Sequence, residues 1–237
     1  MTTIMTPTPT PTPTPITAAA GLEPVTAHLL AGDPLELGFA PGMVVRSFLL
    51  RGADGNVLVN ASDGILRNGE AVEAAGGATA LWLGHWHEAM LGAGAIAKRF
   101  GTPVHVHQAD HEEAAKRVAV AGTFDGPKQI APDLRAIPIP GHTPGSTAYL
   151  WRGPEARCLF TADSLYVSEG ELRGVLLGDS DRGTFLDSLR RLREVEFDLL
   201  VPWVARAGAP IATPFTRDGF ARSIDAVIGR VTAGADG

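Results

Sequence analysis

The chain has 237 residues, 45% of them hydrophobic, with 28 Gly, 18 Pro and a formal net charge of −6. This length supports a sizeable core in one large domain, and the Gly and Pro content points to many short elements rather than a bundle or coiled coil. Scattered basic residues in an acidic chain argue against nucleic-acid binding, and no stretch is long and apolar enough to span a membrane.

Residues 1–20 contain a Thr-Pro alternation from Thr6 to Pro15. Such a run favours extended polyproline conformations, so a disordered tail is expected over 1–20 and one domain over 21–237. The N-terminus lacks the basic start and apolar centre of a secretory signal, and a cytoplasmic location is expected. The single cysteine, Cys158, excludes an intrachain disulfide framework, and its apolar setting "RCLFT" predicts a buried structural thiol.

After the tail, "MVVRSFLLRG" and "NVLVN" are β-rich runs joined by "ADG", a hairpin signal. A short helix is expected in "NGEAVEAAGG", then a buried strand in "ATALWLG" and a helix in "AMLGAGAIAKRFG" with Gly101 as its C-cap. "TPVHVHQ" reads as a strand and "DHEEAAKRVAV" as a helix. Three short strands follow in "LRAIPIPG", "STAYLWRG" and "ARCLFTAD". "TFLDSLRRLREV" and "DGFARSIDAVIGRV" read as amphipathic helices flanking a buried strand in "FDLLVPWVA". Interleaved strands and helices predict a layered α/β domain.

Three short motifs stand out. His85 and His87 follow an apolar strand in "LWLGHWH", where alternate positions on an extended segment can face one side and neutral imidazoles suit zinc or iron. Alone, such a pair is more often a pair of surface or hydrogen-bonded core histidines than a metal site. His142 sits in "PGHTPGS", fixed between prolines and glycines at a strand junction. Asp163 ends the apolar strand of "LFTADS", a place suited to a ligand or to a cap.

In this order, "LGHWH", "PGHTPGS" and "LFTADS", preceded by the hairpin "FLLRGADGNVLVN", resemble the metallo-beta-lactamase superfamily, including its glyoxalase II and persulfide dioxygenase branches. The resemblance runs from about residue 43 to about residue 205. It implies a four-layer αββα sandwich of two mixed sheets with outer helices, and a metal site at one sheet edge formed by His85, His87, His142 and Asp163. Hydrolytic members continue the first motif as His-x-His-x-Asp-His and add a late histidine, which together bind a second ion. Here Ala89 and Met90 stand at the first two places, and "PWVA", with Val204, fills the last. These apolar residues, together with Trp203, are expected to pack into the vacated volume.

The expected function is therefore that of a metal-dependent hydrolase with a mononuclear site, acting on a small ester, thioester or amide. One divalent ion is expected, zinc before iron. The alternatives are a pseudoenzyme that binds a ligand in the same cleft, and a mononuclear iron enzyme resembling persulfide dioxygenases. Glu88 is the nearest candidate general base, although the helix dipole alone explains an acid at that position. A small-molecule partner is expected, without nucleic acid or membrane. "HVHQADH", with His105, His107, Asp110 and His111, reads as a structural imitation of the metal motif. Asp179 and Asp181 read as helix-capping residues.

Overall fold

Consecutive residues of the central strands all lie in core, but in different cores. Phe48 and Leu50 pack in one apolar cluster and Leu49 in another; Trp82 joins the first, Leu81 and Leu83 the second. Side chains alternate across a strand, so a sheet whose two faces both carry apolar groups must be covered on both sides. The computed structural model, which describes residues 21–235, meets that demand with four layers.

The first sheet has seven strands, ordered Glu23–Pro24, Leu29–Ala31, Phe48–Gly52, Gly55–Val59, Leu81–Trp82, Val104–His107 and Val120–Phe124. Its first four strands pair antiparallel; from Gly55–Val59 onward the pairings are parallel. The second sheet has six strands, ordered Lys128–Ala131, Leu134–Pro138, Thr147–Arg152, Arg157–Phe160, Leu199–Val201 and Thr213–Pro214. Both sheets are mixed. Phe48, Trp82 and Val59 from the first meet Tyr149, Trp151 and Phe160 from the second in the central core. Burying each such side chain contributes about 1.5–3 kcal/mol.

Helices Gly69–Ala74, Ala93–Phe100 and His111–Ala115 cover the outer face of the first sheet, with Val72, Ile96 and Ala114 packed on Leu58 and Val104. Helices Arg182–Leu192 and Arg217–Thr232 cover the second, with Phe185, Leu189 and Ile224 on Leu159 and Leu200. Two smaller sheets lie apart from these layers. Leu165–Ser168 pairs with Glu171–Gly174, and Met43–Val45 pairs with both Leu35–Glu36 and Val204–Arg206.

The sequence expectations depart from this structure in a few places. "MVVRSFLLRG" is two strands, not one, because Met43–Val45 belongs to the small three-stranded sheet. "FDLLVPWVA" likewise splits: proline has no N–H for a ladder, and the chain leaves the large sheet at Pro202. The helix expected over "DHEEAAKRVAV" ends at Ala115, and Val120 already begins a strand. The tail expected over 1–20 lies outside the described residues. Cys158 is buried, and burial pushes its thiol up to about 12, in keeping with a structural role. No helix among the described residues is long and apolar enough to cross a membrane.

Candidate metal centre

Two residues beyond the strand Leu81–Trp82 the chain reaches Gly84. A Cβ there would lie 2.4 Å from Cβ of Ala162 and 2.9 Å from Oε1 of Glu88, so only glycine fits. The carbonyl of Gly84 accepts the Thr147 N–H at 2.8 Å, and that of Leu83 accepts the Tyr149 hydroxyl at 2.6 Å. These two bonds tie the end of the first sheet to a strand of the second. His85 then keeps extended backbone, and the 3-10 helix Trp86–Met90 begins after it.

At this edge four side chains converge. One ligand atom from each of His85, His87, His142 and Asp163 lies within 4.8 Å of the others. Nε2 of His142 is 3.3 Å from Nδ1 of His87 and 3.3 Å from Oδ2 of Asp163, which is 3.9 Å from Nε2 of His85. Such separations are on the scale of one ion with ligands about 2.0–2.2 Å from its centre. The two loops carrying the last two ligands are constrained. Gly141 has φ +137 and its missing Cβ would meet the backbone of Phe185, while Ala162, just before Asp163, is left-handed at φ 49. A non-glycine residue in that region stores strain of the kind found at functional sites.

The imidazoles are prepared to donate lone pairs. Burial, followed by the like charge of His87, drives His85 well below its ordinary value. Burial also lowers His142 to about 3, with His85 and His87 adding to the effect. Nδ1 of His142 donates to the Val175 carbonyl at 3.1 Å, which leaves Nε2 as the free lone pair. His85 is held through its Nδ1, 3.1 Å from Oε1 of Glu88. Its Nε2 is buried and has no hydrogen-bond partner among the described residues. A buried polar atom left in this way, facing two imidazoles and a carboxylate, is what a divalent ion would satisfy. The three-nitrogen, one-oxygen donor set fits zinc and also iron.

Glu88 does not face the open side of this cluster. It is fully buried behind His85, and its oxygens accept N–H groups of Gly84 at 2.8 Å, Ala61 at 2.7 Å and the Asn60 side chain at 2.9 Å. Burial, against these donors, raises its carboxyl to about 8. The general-base role expected for Glu88 is corrected accordingly: with no free oxygen to reach a substrate, it orients His85 and is a positioning residue.

The expected filling of the second-ion volume is also corrected. Ala89 packs into the helix-side core of the first sheet, and Met90 is exposed. Trp203 and Val204 pack with Leu37 and Val45, and Trp203 Nε1 donates to the Ala61 carbonyl at 2.9 Å. Between Met90 and Val204 lies an open cavity of ≈ 530 Å³, whose wall also includes His87 and Asp163. The place is apolar, as expected, but open. A short side chain at 89 and an outward-turned one at 90 cannot fill it.

Asp110, placed among the residues of a structural imitation, proves to fasten the site. Its buried carboxylate accepts the Trp86 N–H at 3.0 Å, the Thr143 hydroxyl at 2.7 Å and the Gly145 N–H at 2.7 Å, joining the loops of His85, His87 and His142. His105 stacks on Trp82 and His107 caps the 3-10 helix Gln108–Asp110, so both are structural. Asp181 caps helix Arg182–Leu192 by accepting the Thr184 N–H at 2.8 Å.

Residues 90–202 match the sequence profile of the metallo-beta-lactamase superfamily. The matched span contains His142 and Asp163 and begins just after His85 and His87. The fold is similar to that of a metallo-beta-lactamase from Pontibacter korlensis, with a TM-score of 0.67 at 14% identity over 88% of this chain and 98% of that one. A metallo-beta-lactamase from Erythrobacter litoralis, solved with beta-mercaptoethanol in its active site, gives a TM-score of 0.69 at 16% identity, covering 88% and 96%. TTHA1623, solved in a di-iron-bound form, gives 0.58 at 22% identity, covering 80% and 97%. No match is found among curated protein sequences. The resemblance drawn from the sequence implies that Ala89, Met90 and Val204 stand at the places of a second ion's ligands, beside the cluster of His85, His87, His142 and Asp163.

Proposed function

We propose that the protein is a metal-dependent hydrolase that works with a single ion, zinc in first place, on a small ester, thioester or amide. The observation that carries this reading is the buried, partnerless Nε2 of His85 within a cluster completed by His87, His142 and Asp163. When bound, such an ion supplies Lewis acidity and makes hydroxide available near neutral pH. His87 and Asp163 lie on the cavity side, while His85 and His142 are sealed behind them. The scissile group is therefore presented at His87 and Asp163. Apart from these two, the titratable side chains lining the cavity among the described residues are Tyr166 and Arg206. Neither is a carboxylate or an imidazole, so beyond the ligands the cavity presents no carboxylate or imidazole to serve as a general base.

Arg206 is exposed and donates from Nε to the Ser168 hydroxyl at 3.1 Å. The test is hydrolysis of 4-nitrophenyl acetate, an S-acetyl thioester and an anilide by protein loaded with one equivalent of zinc. Turnover that disappears with a chelator and with His142→Ala supports the proposal. Zinc-loaded, folded protein that turns over none of the three substrates overturns it.

A further inference from the structure

Three large apolar side chains are exposed among the described residues: Phe39 at 81%, Met90 at 47% and Leu177 at 46%. They are far apart in sequence, on three different segments, and all three line the cavity beside the ligand cluster. Scattered exposed apolar residues are ordinary; a set that converges on one concave site is not. The floor between them is formed by Trp203 and Val204 with Leu91, all of them apolar. The volume, ≈ 530 Å³, falls in the usual range for a small-molecule site, roughly 300–1,000 Å³.

From this we infer that the cavity is the subsite for an unbranched apolar acyl chain, which lies over Met90, Val204 and Trp203 while its carbonyl lies at His87 and Asp163. Met90 and Leu177 are then specificity-determining residues. The inference rests on the hydrolase reading and narrows its substrates to esters or thioesters of apolar carboxylic acids. The physical reason is direct: a polar substituent over this floor would lose its water and find only a thioether, an isopropyl group and an indole face. An alkyl chain loses nothing there and removes exposed apolar surface from water. The one cationic side chain on the wall, Arg206, stands at the rim rather than on the floor, so it does not alter this preference.

The test uses equilibrium binding as well as turnover. Titration calorimetry of the zinc-loaded chain with butanoate, hexanoate, octanoate and decanoate is expected to show Kd falling with chain length, by up to roughly fourfold per methylene. Met90→Gln and Leu177→Gln change half-exposed side chains, and circular dichroism checks that the fold is kept. Each variant is expected to flatten the chain-length dependence, raising the Kd of decanoate more than that of butanoate. The same series as 4-nitrophenyl esters separates the two readings. Chain-length-dependent binding without turnover keeps this subsite and removes the hydrolase. Turnover with no dependence on chain length, or dependence untouched by both variants, keeps the hydrolase and overturns the subsite.

Discussion

The Asp110 carboxylate accepts the backbone N–H of Trp86 at 3.0 Å, although helix Ala93–Phe100 and strand Val104–His107 lie between the two residues in sequence. The same carboxylate holds the Gly145 N–H at 2.7 Å, and a Cβ on Gly145 would collide with it. Asp110→Ala leaves the buried Thr143 and Gly145 donors and the half-buried Trp86 N–H without this acceptor, at about 1–3 kcal/mol for each buried one. The expected result is a destabilisation of about 3 kcal/mol or more in urea, together with a zinc affinity weakened about 10- to 100-fold, as for other residues that orient metal ligands. Asp110→Asn, which keeps the shape and one acceptor, should fall between. An Asp110→Ala protein that unfolds and binds zinc like the wild type would show that the loops are held by other means.

Gly84 offers a purely steric test. The Cβ of Gly84→Ala would lie 2.4 Å from Ala162, 2.8 Å from Asn60 and 2.9 Å from Glu88, all of them buried neighbours of the ligands. Forcing atoms into such a site costs about 1–3 kcal/mol, and here the strain falls on both Asp163 and His85. Denaturant midpoints should drop accordingly, and zinc binding should weaken with them. Unchanged midpoints would mean that the strand end relaxes freely.

Glu88→Gln distinguishes positioning from catalysis. An amide cannot accept from Gly84, Ala61, Asn60 and His85 together, so His85 loses its fixed tautomer and zinc Kd is expected to rise about 10- to 100-fold. At saturating zinc, kcat should recover to within a few-fold of wild type with an unshifted pH profile. A kcat that stays low at saturation would restore Glu88 as a base.

Burial, ahead of the Glu88 charge, raises Asp163 to about 7, and burial raises Glu88 to about 8. Both metal-free folded values exceed the unfolded ones. Their contribution to stability is therefore complete below the ordinary carboxylate range and is lost as pH rises through about 7 and then about 8. The lowered histidines act oppositely and only below about pH 6.5. Metal-free protein is thus expected to lose Tm between about pH 6.5 and 9, and zinc-bound protein to lose less. Zinc binding near pH 6 should release roughly two protons, from the acids and not from His142, and fewer as pH passes about 8. Calorimetry in buffers of different ionisation enthalpy measures this; release that grows with pH would contradict the assignment.

The layered α/β class was legible because strands and helices interleave along the chain, whereas the four-layer sandwich and the ligand set followed from the resemblance carried by "LGHWH", "PGHTPGS" and "LFTADS". Asp110 was not legible as a fastening group. It lies 24 residues from Trp86 and 33 from Thr143, and no local pattern reports which distant N–H groups a carboxylate will meet. Its one signal, an acid after a β-rich run in "HVHQAD", is shared with ordinary caps. Glu88 was misplaced for a related reason: a 3-10 turn after His85 swings its side chain behind the imidazole, and sequence spacing does not show that. The open cavity was missed because the outward turn of Met90 depends on Ala89 being drawn into the opposite core.

The number of ions per chain tests the central claim most directly. Elemental analysis of protein purified without added metal, and again after zinc loading and desalting, should give one equivalent, lost in His85→Ala and His142→Ala variants that remain folded. Two equivalents held after desalting, or none held by a folded wild-type chain, would contradict a single ion bound by His85, His87, His142 and Asp163.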